Sequence, residues 1–495
     1  MKKVVYLPLD ERPCNLALIR DIAEDNESFR LVAPELEEMG SKKTPARYRD
    51  VENFLERECG DADYLIIAID TLLYGGIIPS RLHHTDKAEL FERLSLLRRI
   101  KEKNKKLYIC AFSLVMRCPC YSDSSEEPDY YAECGREIFL WGQNEHKLKL
   151  GLITPEEHAA ERERLGACKE FIEDYTVRRS SNLACLTEVI RMMGTVIDDF
   201  TILQDDSNPY GYTTMDREVI LLEADRLGVK VDIYPGADEG GLVMLARVAS
   251  YIEGKKPRVY VDFPREGTRN VTPIYEDREA NKTISAQIKS AGAVECMNPR
   301  DADFVLFCNL NDERTYDVYL NYTTQADESY HGAFAKKIAE TLKSGVGAAV
   351  ADIAYCNSGD YNFVKKLDAE VGLLNLWGYA GWNTASNTLG TVMCQAVLRY
   401  LYGNTPTHRR FTAARVMDDA VYMARVRRVM LAECASGGIL ERSGAHTDAI
   451  VKCINETVKK DFAKIGCKYE ATECYLPWNR LFEIRLEVKE KNHEA

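Results

Sequence analysis

An α/β fold, read as a (β/α)8 TIM-like barrel with a helical insertion and a C-terminal helical appendage, is what this sequence predicts. Three observations point to it. Short apolar runs recur through about the first 400 residues, helical patterns separate them, and no phosphate-cradling glycine loop follows any run. A doubly wound sheet in two lobes is the competing arrangement of the same elements.

The first run, residues 4–9 in "MKKVVYLPLDERP", is cut by Pro8. It falls short of the apolar core of about 7–15 residues that an export signal needs, so it reads as a strand. Further strands are expected at 64–69, 107–112, 200–203, 231–234, 258–263, 304–308, 348–353 and 373–377. Most are nearly continuous apolar segments, the mark of parallel strands buried on both faces. Between them, "KAELFERLSLLRRIKEKN" has apolar residues at helical spacing and a basic last turn. "TPEEHAAERER" offers Thr154 as N-cap, Pro155 at the first position and Glu157 to close a capping box. Gly228 and Gly254 suit left-handed C-caps. Residues 117–198 form a mostly helical insertion into the barrel of residues 1–403. From 404 to 495 the strand signal fades, and two long helices are expected.

In a barrel the chemistry sits at the C-terminal strand ends. Those positions carry Asp10, Glu11, Arg12 and Asn15, then Asp70, Tyr74 and Arg81, then Ser113 and Arg117. They continue with Asp205, Asp206, Asn208 and Tyr210, then Asp238 and Glu239, then Asp352 and Asn357. "WGYAGWNTASNTLG" adds Trp377, Tyr379, Trp382, Asn383 and Asn387. Carboxylates, amides and aromatic rings without a nucleotide loop or a histidine cluster suit a carbohydrate: rings stack on sugars and Asp, Asn and Arg bind hydroxyls. A single carboxylate such as Asp216 or Asp352 reads equally as a helix cap, Asp10–Arg12 as an ion pair, and Trp382 as core. Only one residue can cap, so the consecutive pairs Asp205–Asp206 and Asp238–Glu239 are the catalytic candidates. Asp418–Asp419 falls inside a helix pattern and reads as a solvated face.

Cα atoms of consecutive residues lie about 3.8 Å apart, too close to flank a glycosidic bond from both sides at the usual spacing. An adjacent pair fits substrate-assisted cleavage of a 2-acetamido sugar. One carboxylate orients the acetamido group, the other protonates the leaving oxygen, and mutual repulsion raises one pKa of the pair.

The balance of 65 Lys+Arg against 78 Asp+Glu, a net charge of −13, argues against a nucleic-acid surface. No apolar run has the roughly 18–20 residues that span a bilayer. Sixteen cysteines without an export signal suggest reduced thiols in a cytoplasmic protein. "CPC" at 118–120 lacks zinc-ligand spacing. No cofactor is expected, and a homo-oligomer is compatible with the composition.

The motifs carry resemblances. "GADE" resembles the G-x-D-E motif of glycoside hydrolase family 20, the β-N-acetylhexosaminidases, which implies Asp238 as stabiliser and Glu239 as acid/base. "DD" resembles family 84, the O-GlcNAcase-like enzymes, which implies those roles for Asp205 and Asp206. The "GADE" pair follows the fifth apolar run, not the fourth, and the "WH" strand ends usual in family 20 are missing. End to end, "LPLDERPCN", "DTLLYGGIIPSR", "QDDSNPYG", "GADEGG", "YAGWNTASNTLG" and "LPWNRLFE" are similar to the bacterial domain-of-unknown-function family 4127. That resemblance implies amino-sugar glycosidase activity.

The leading expectation is thus a retaining β-N-acetylhexosaminidase acting on a GlcNAc- or GalNAc-containing glycan, with no nucleic-acid or membrane partner. Two alternatives stand beside it. One is a metal-dependent hydrolase in which Asp10, Asp205, Asp206 and Asp238 converge on Mg²⁺ or Mn²⁺. The other is a sugar-binding protein without turnover.

Overall fold

A computed structural model describes residues 1–311, 314–317, 327–437 and 444–491. Its strands are β1 (Lys2–Leu7), β2 (Phe29–Val32), β3 (Tyr64–Ala68), β4 (Tyr108–Val115), β5 (Asp199–Gln204), β6 (Asp232–Pro235), β7 (Arg258–Asp262) and β8 (Val294–Glu295). They continue with β9 (Phe304–Asn309), β10 (Tyr316–Asp317), β11 (Gly347–Asp352), β12 (Tyr355–Cys356), β13 (Gly378–Ala380), β14 (Tyr469–Tyr475) and β15 (Arg485–Glu490).

These strands do not close into one barrel. They form two open parallel sheets, ordered β2-β1-β3-β4-β5-β6 and β13-β11-β9-β7-β8. Each sheet reverses its winding once, between β1 and β3 in the first and between β7 and β9 in the second. The strand-and-helix rhythm is the expected one, since every parallel strand needs a crossover, but rhythm does not say which strands pair. Ligand crevices in such sheets lie outside the carboxyl ends, where the order reverses.

The chain divides into two compact units. The first holds Met1–Glu11, Asn26–Gly241 and Tyr275–Arg278; the second holds Arg12–Asp25, Leu242–Ile274 and Glu279–Ala495. This partition cuts across the 403/404 division suggested by the sequence.

In the first unit β3, β4 and β5 are buried along almost their whole length, which is why they read as unbroken apolar runs. Leu65, Ile67, Ile109, Ala111 and Ile202 contribute to one core with Leu94 and Leu97 of helix Lys87–Lys103. The 117–198 insertion is helical as expected, with helices Tyr131–Lys149, Pro155–Arg164 and Lys169–Met192 around their own cluster of Ile138, Phe139, Ile172 and Tyr175. The Thr154–Glu157 capping box is present, and Gly228 ends its helix at φ 67°. Cys134 and Cys168 are joined as a disulfide across the insertion, so the thiols are not all reduced as the composition suggested.

In the second unit β9 and β11 are fully buried. Residues 373–377 are not a strand: Leu373–Asn375 make a 3-10 turn and the strand follows at β13. The C-terminal region is not helical throughout, because β14 and β15 pair antiparallel. Alternating exposed residues along that hairpin hid it from an apolar-run reading. Helix Ala17–Ala23 belongs here too, with Asp21 paired to Arg485 at 2.9 Å.

Candidate functional site

All six strands of the first sheet run the same way, so one edge gathers their carboxyl ends. Asp10, Asp70, Arg117, Asp205–Asp206 and Asp238–Glu239 follow β1, β3, β4, β5 and β6 there. The edge has two parts.

At its centre two buried arginines separate the first acidic pair. Arg81, in the short helix Pro79–Leu82, donates from Nη2 to Asp205 at 2.7 Å. Arg117, two residues past β4, donates from Nη1 to Asp206 at 3.0 Å. Both guanidiniums also meet Glu127, at 3.3 Å from Arg81 and 2.7 Å from Arg117, and both meet Glu126. Two positive charges thus face four carboxylates. Asp206 is in the left-handed region at φ 29°. Burial pushes its carboxyl up to about 6; Arg117 opposes that and the charge of Asp205 adds to it. The insertion fixes Arg117 from behind: Tyr175 Oη and Arg179 Nη1 donate to its carbonyl at 2.6 and 2.9 Å. Arg179 in turn holds Asp216 at 2.6 Å.

Beside it, where the winding reverses, Asp70 accepts from Ser113 Oγ at 2.8 Å and from the Leu114 amide at 3.0 Å. Burial raises its carboxyl to about 6 against those two bonds. Asp70 and Thr71 lie in helix Ile69–Tyr74, which Thr71 Oγ1 ties to the loop after β1 by donating to the carbonyls of Pro8 and Leu9. Tyr74 is buried and stacks on His83 with ring centres 4.4 Å apart. Asn208 accepts from Thr214 through its carbonyl, and Tyr210 is half-buried under Lys147.

The second acidic pair has a different setting. Glu239 is 1% exposed and its carboxylate turns back to accept from the Ala237 amide at 2.9 Å. Gly236, at φ 147°, leaves room for it: a Cβ there would lie 1.9 Å from Glu239 Oε1. Asp238 is also buried.

The chain belongs to the DUF4127 family. Residues 4–487 match its model, which is described as a protein of unknown function. No curated protein and no solved structure matches the chain. Membership covers both units, so every motif quoted above falls within the family's span.

Other predicted site residues lie in the second unit. Arg12 is buried, 3.8 Å from Glu483 and over the Trp478 ring at 4.8 Å. Asp352 ends β11 and accepts from Asn309 Nδ2 at 2.7 Å, the Asp360 amide at 2.7 Å and Tyr379 Oη at 3.1 Å. Burial and the nearby Asp360 push its carboxyl up to about 8. Trp382 packs edge-on against Phe482, and Asn383, at φ 64°, accepts the Asn357 amide through its carbonyl. Trp377 packs on Phe304, and Asn387 donates to Thr384.

Asp418 and Asp419 are not a solvated face. They lie buried in a π-helical stretch, Val416–Val426, held by Arg415 at 2.9 and 3.1 Å, with Asp419 also accepting the Gly381 amide at 2.8 Å. The larger helical repeat of that stretch turns both carboxylates inward, which an α-helical pattern does not anticipate. Glu126 and Glu127 were missed as well, because "SSEEPD" reads as an exposed acidic turn. The available signal was the want of counter-charges for Arg81 and Arg117. Among the described residues no group of three or more His, Cys, Asp or Glu side chains is arranged to hold a metal ion. No helix among them is long and apolar enough to cross a membrane.

Proposed function

We propose that the chain is a retaining glycoside hydrolase acting on a 2-acetamido sugar by substrate assistance, with Asp206 as general acid/base and Asp205 as the orienting carboxylate. One observation carries the reading. Two neighbouring carboxylates at a strand end are held apart, each on its own arginine, at 2.7 and 3.0 Å. That gives adjacent acids different duties. In the first step Asp206 gives its proton to the glycosidic oxygen while the substrate's acetamido oxygen attacks the anomeric carbon. Asp205 takes the acetamido N–H and balances the charge that develops there. In the second step Asp206, now a base, draws a proton from water as that water opens the cyclic intermediate. Two inversions leave the anomeric configuration retained.

Reach favours this pair over Asp238–Glu239: Asp205 and Asp206 keep 12% and 17% of their side chains exposed, whereas the Glu239 side chain turns onto its own loop. A panel of 4-nitrophenyl glycosides tests the reading. Acetamido sugars should be cleaved, and a thiazoline analogue should inhibit. Cleavage of plain glucosides with acetamido sugars untouched would exclude substrate assistance. Asp206→Asn should cost roughly 10²–10⁴ in kcat/KM on a sugar leaving group, and less on 4-nitrophenolate, which needs no proton. Full activity in Asp206→Asn with loss in Glu239→Gln would move the assignment to the other pair.

A further inference from the structure

The Arg81–Arg117 centre contains a carboxylate that this chemistry leaves unused. Glu127 is 1% exposed, and its Oε1 receives both Arg117 Nε at 2.7 Å and Arg81 Nη1 at 3.3 Å. Its other oxygen, Oε2, is buried without a hydrogen-bond partner. A glutamate with one oxygen committed to two cations and the other idle is not there to satisfy a local turn. Removing it would leave the two guanidiniums close together with only the more exposed Glu126 and the two aspartates to balance them.

We propose that Glu127 is a positioning residue: by gathering both guanidiniums on one oxygen, it splits them so that Arg81 faces Asp205 and Arg117 faces Asp206. This deepens the reading above and rests on it for the meaning of Asp206. The geometry makes the division of labour between the two aspartates depend on Glu127. Arg117 is shared: Nε goes to Glu127, Nη2 to Glu126 and Nη1 to Asp206. A guanidinium partly neutralised by other carboxylates pulls less on the third. An opposite charge within about 4–6 Å lowers a carboxyl pKa by 1–3 units, so the share taken by Glu127 sets how readily Asp206 keeps its proton. The groups acting on Asp206 are Arg117, Asp205, Arg81 and Glu126, with Tyr121 and Cys120 beside it. Those around Glu127, besides the arginines, are Cys118, Tyr131 and Tyr175, whose protons burial holds on, and Tyr121, where Arg117 pulls the other way and the neighbouring carboxylates help to keep the proton. No cation other than the two arginines is among them.

The test is the pH dependence of Glu127→Gln and Glu127→Asp in the full chain. Glutamine keeps the shape and removes the charge, so Arg117 turns its full pull on Asp206. The alkaline limb of kcat/KM on an N-acetylated disaccharide, whose leaving sugar needs the Asp206 proton, should then move down by about one pH unit. That shift costs about tenfold near pH 7 and leaves the acidic side little changed. Aspartate keeps the charge and should leave the limb within a few tenths of a unit of the parent. A uniform loss at all pH with the limb unmoved in Glu127→Gln overturns the proposal. So does a limb displaced downward by about one pH unit in Glu127→Asp, a result that needs no folded Gln variant. A second readout needs no substrate: carboxyl-carbon NMR of Asp-labelled protein, with Asp206 assigned by its loss in Asp206→Asn. A lowered Asp206 titration in Glu127→Gln supports the role even if no amino-sugar glycoside is cleaved, in which case only the hydrolase reading falls. An unchanged titration removes the positioning role.

Discussion

Arg81 and Arg117 set the character of the first sheet's carboxyl edge, and single side chains around them make the sharpest predictions. Gly236→Ala would drive a Cβ into the Glu239 carboxylate and strain a φ of 147°. The expected cost is roughly 1–3 kcal/mol, visible as a lower denaturant midpoint with an unchanged slope. A second prediction concerns protons. Asp70, Asp206, Asp352 and Asp419 are all held above the ordinary carboxyl range, at about 6, 6, 8 and 7, chiefly by burial. These four carboxyls therefore bind more protons in the folded chain than in the unfolded one between about pH 4 and 8, and their contribution to stability falls as pH rises through that window, opposed below about pH 6.5 by the buried His408, which burial holds down at about 4. Melting temperature should be lower near pH 8 than near pH 5.5. Asp352→Asn should flatten the decline above about pH 6, since Asp352 titrates highest of the four; an equally steep decline in the variant would contradict its role. Of these residues the sequence made Asp70, Asp206 and Asp352 visible, each following an apolar run. Asp419 was hidden by its helical neighbours, because a two-residue acidic step says nothing about π-helical winding.

The insertion between β4 and β5 is the element on which the site depends most. Its helices supply Tyr175 and Arg179 to the Arg117 carbonyl, and its entry loop supplies Glu126 and Glu127. Two devices keep it in shape. Thr154 Oγ1 accepts the Glu157 amide at 3.2 Å while Glu157 accepts the Thr154 amide at 2.8 Å. Thr154→Ala should cost about 1 kcal/mol, seen as faster amide exchange confined to Pro155–Arg164. The Cys134–Cys168 disulfide closes a loop with a sequence separation of 34. Cys134→Ser should lose about 3–4 kcal/mol by the chain-entropy account. Equilibrium unfolding with and without a thiol reductant checks this; an identical midpoint in both would show that the bridge contributes nothing. The helices themselves were legible from spacing and caps. The bridge was not, since sixteen cysteines offer many pairings and the spacing of two of them names no partner.

At the scale of the whole molecule, strand positions were readable because buried parallel strands are apolar along their length. Pairing was not. A sheet that closes and two that stay open use the same alternation of strand and crossover, and the difference lies in which edges meet. The same limit applied to the candidate residues: Asp10, Asp70, Arg81, Arg117, Asp205, Asp206, Asp238 and Glu239 belong to the first unit, Arg12, Asp352, Tyr379, Trp382 and Asn383 to the second. Neither unit is a continuous length of chain. A fragment ending at residue 241 lacks Asp277, which accepts from Gln204 Nε2 at 3.0 Å and pairs with Arg217. Such a fragment should show a lower melting temperature than one in which residues 275–278 are restored through a short linker; equal stability would mean that this return strap is dispensable. The interleaving also has a consequence for how the protein is made. Helix Ala17–Ala23 is synthesised well before Arg485, the partner that Asp21 takes 464 residues further on. While that stretch is made, the Asp21–Arg485 pair and the packing of this helix, with its buried Leu18, Ile19 and Ile22, on helix Pro406–Arg415 are still to form. That early apolar helix is where a nascent-chain chaperone would have its longest opportunity to bind.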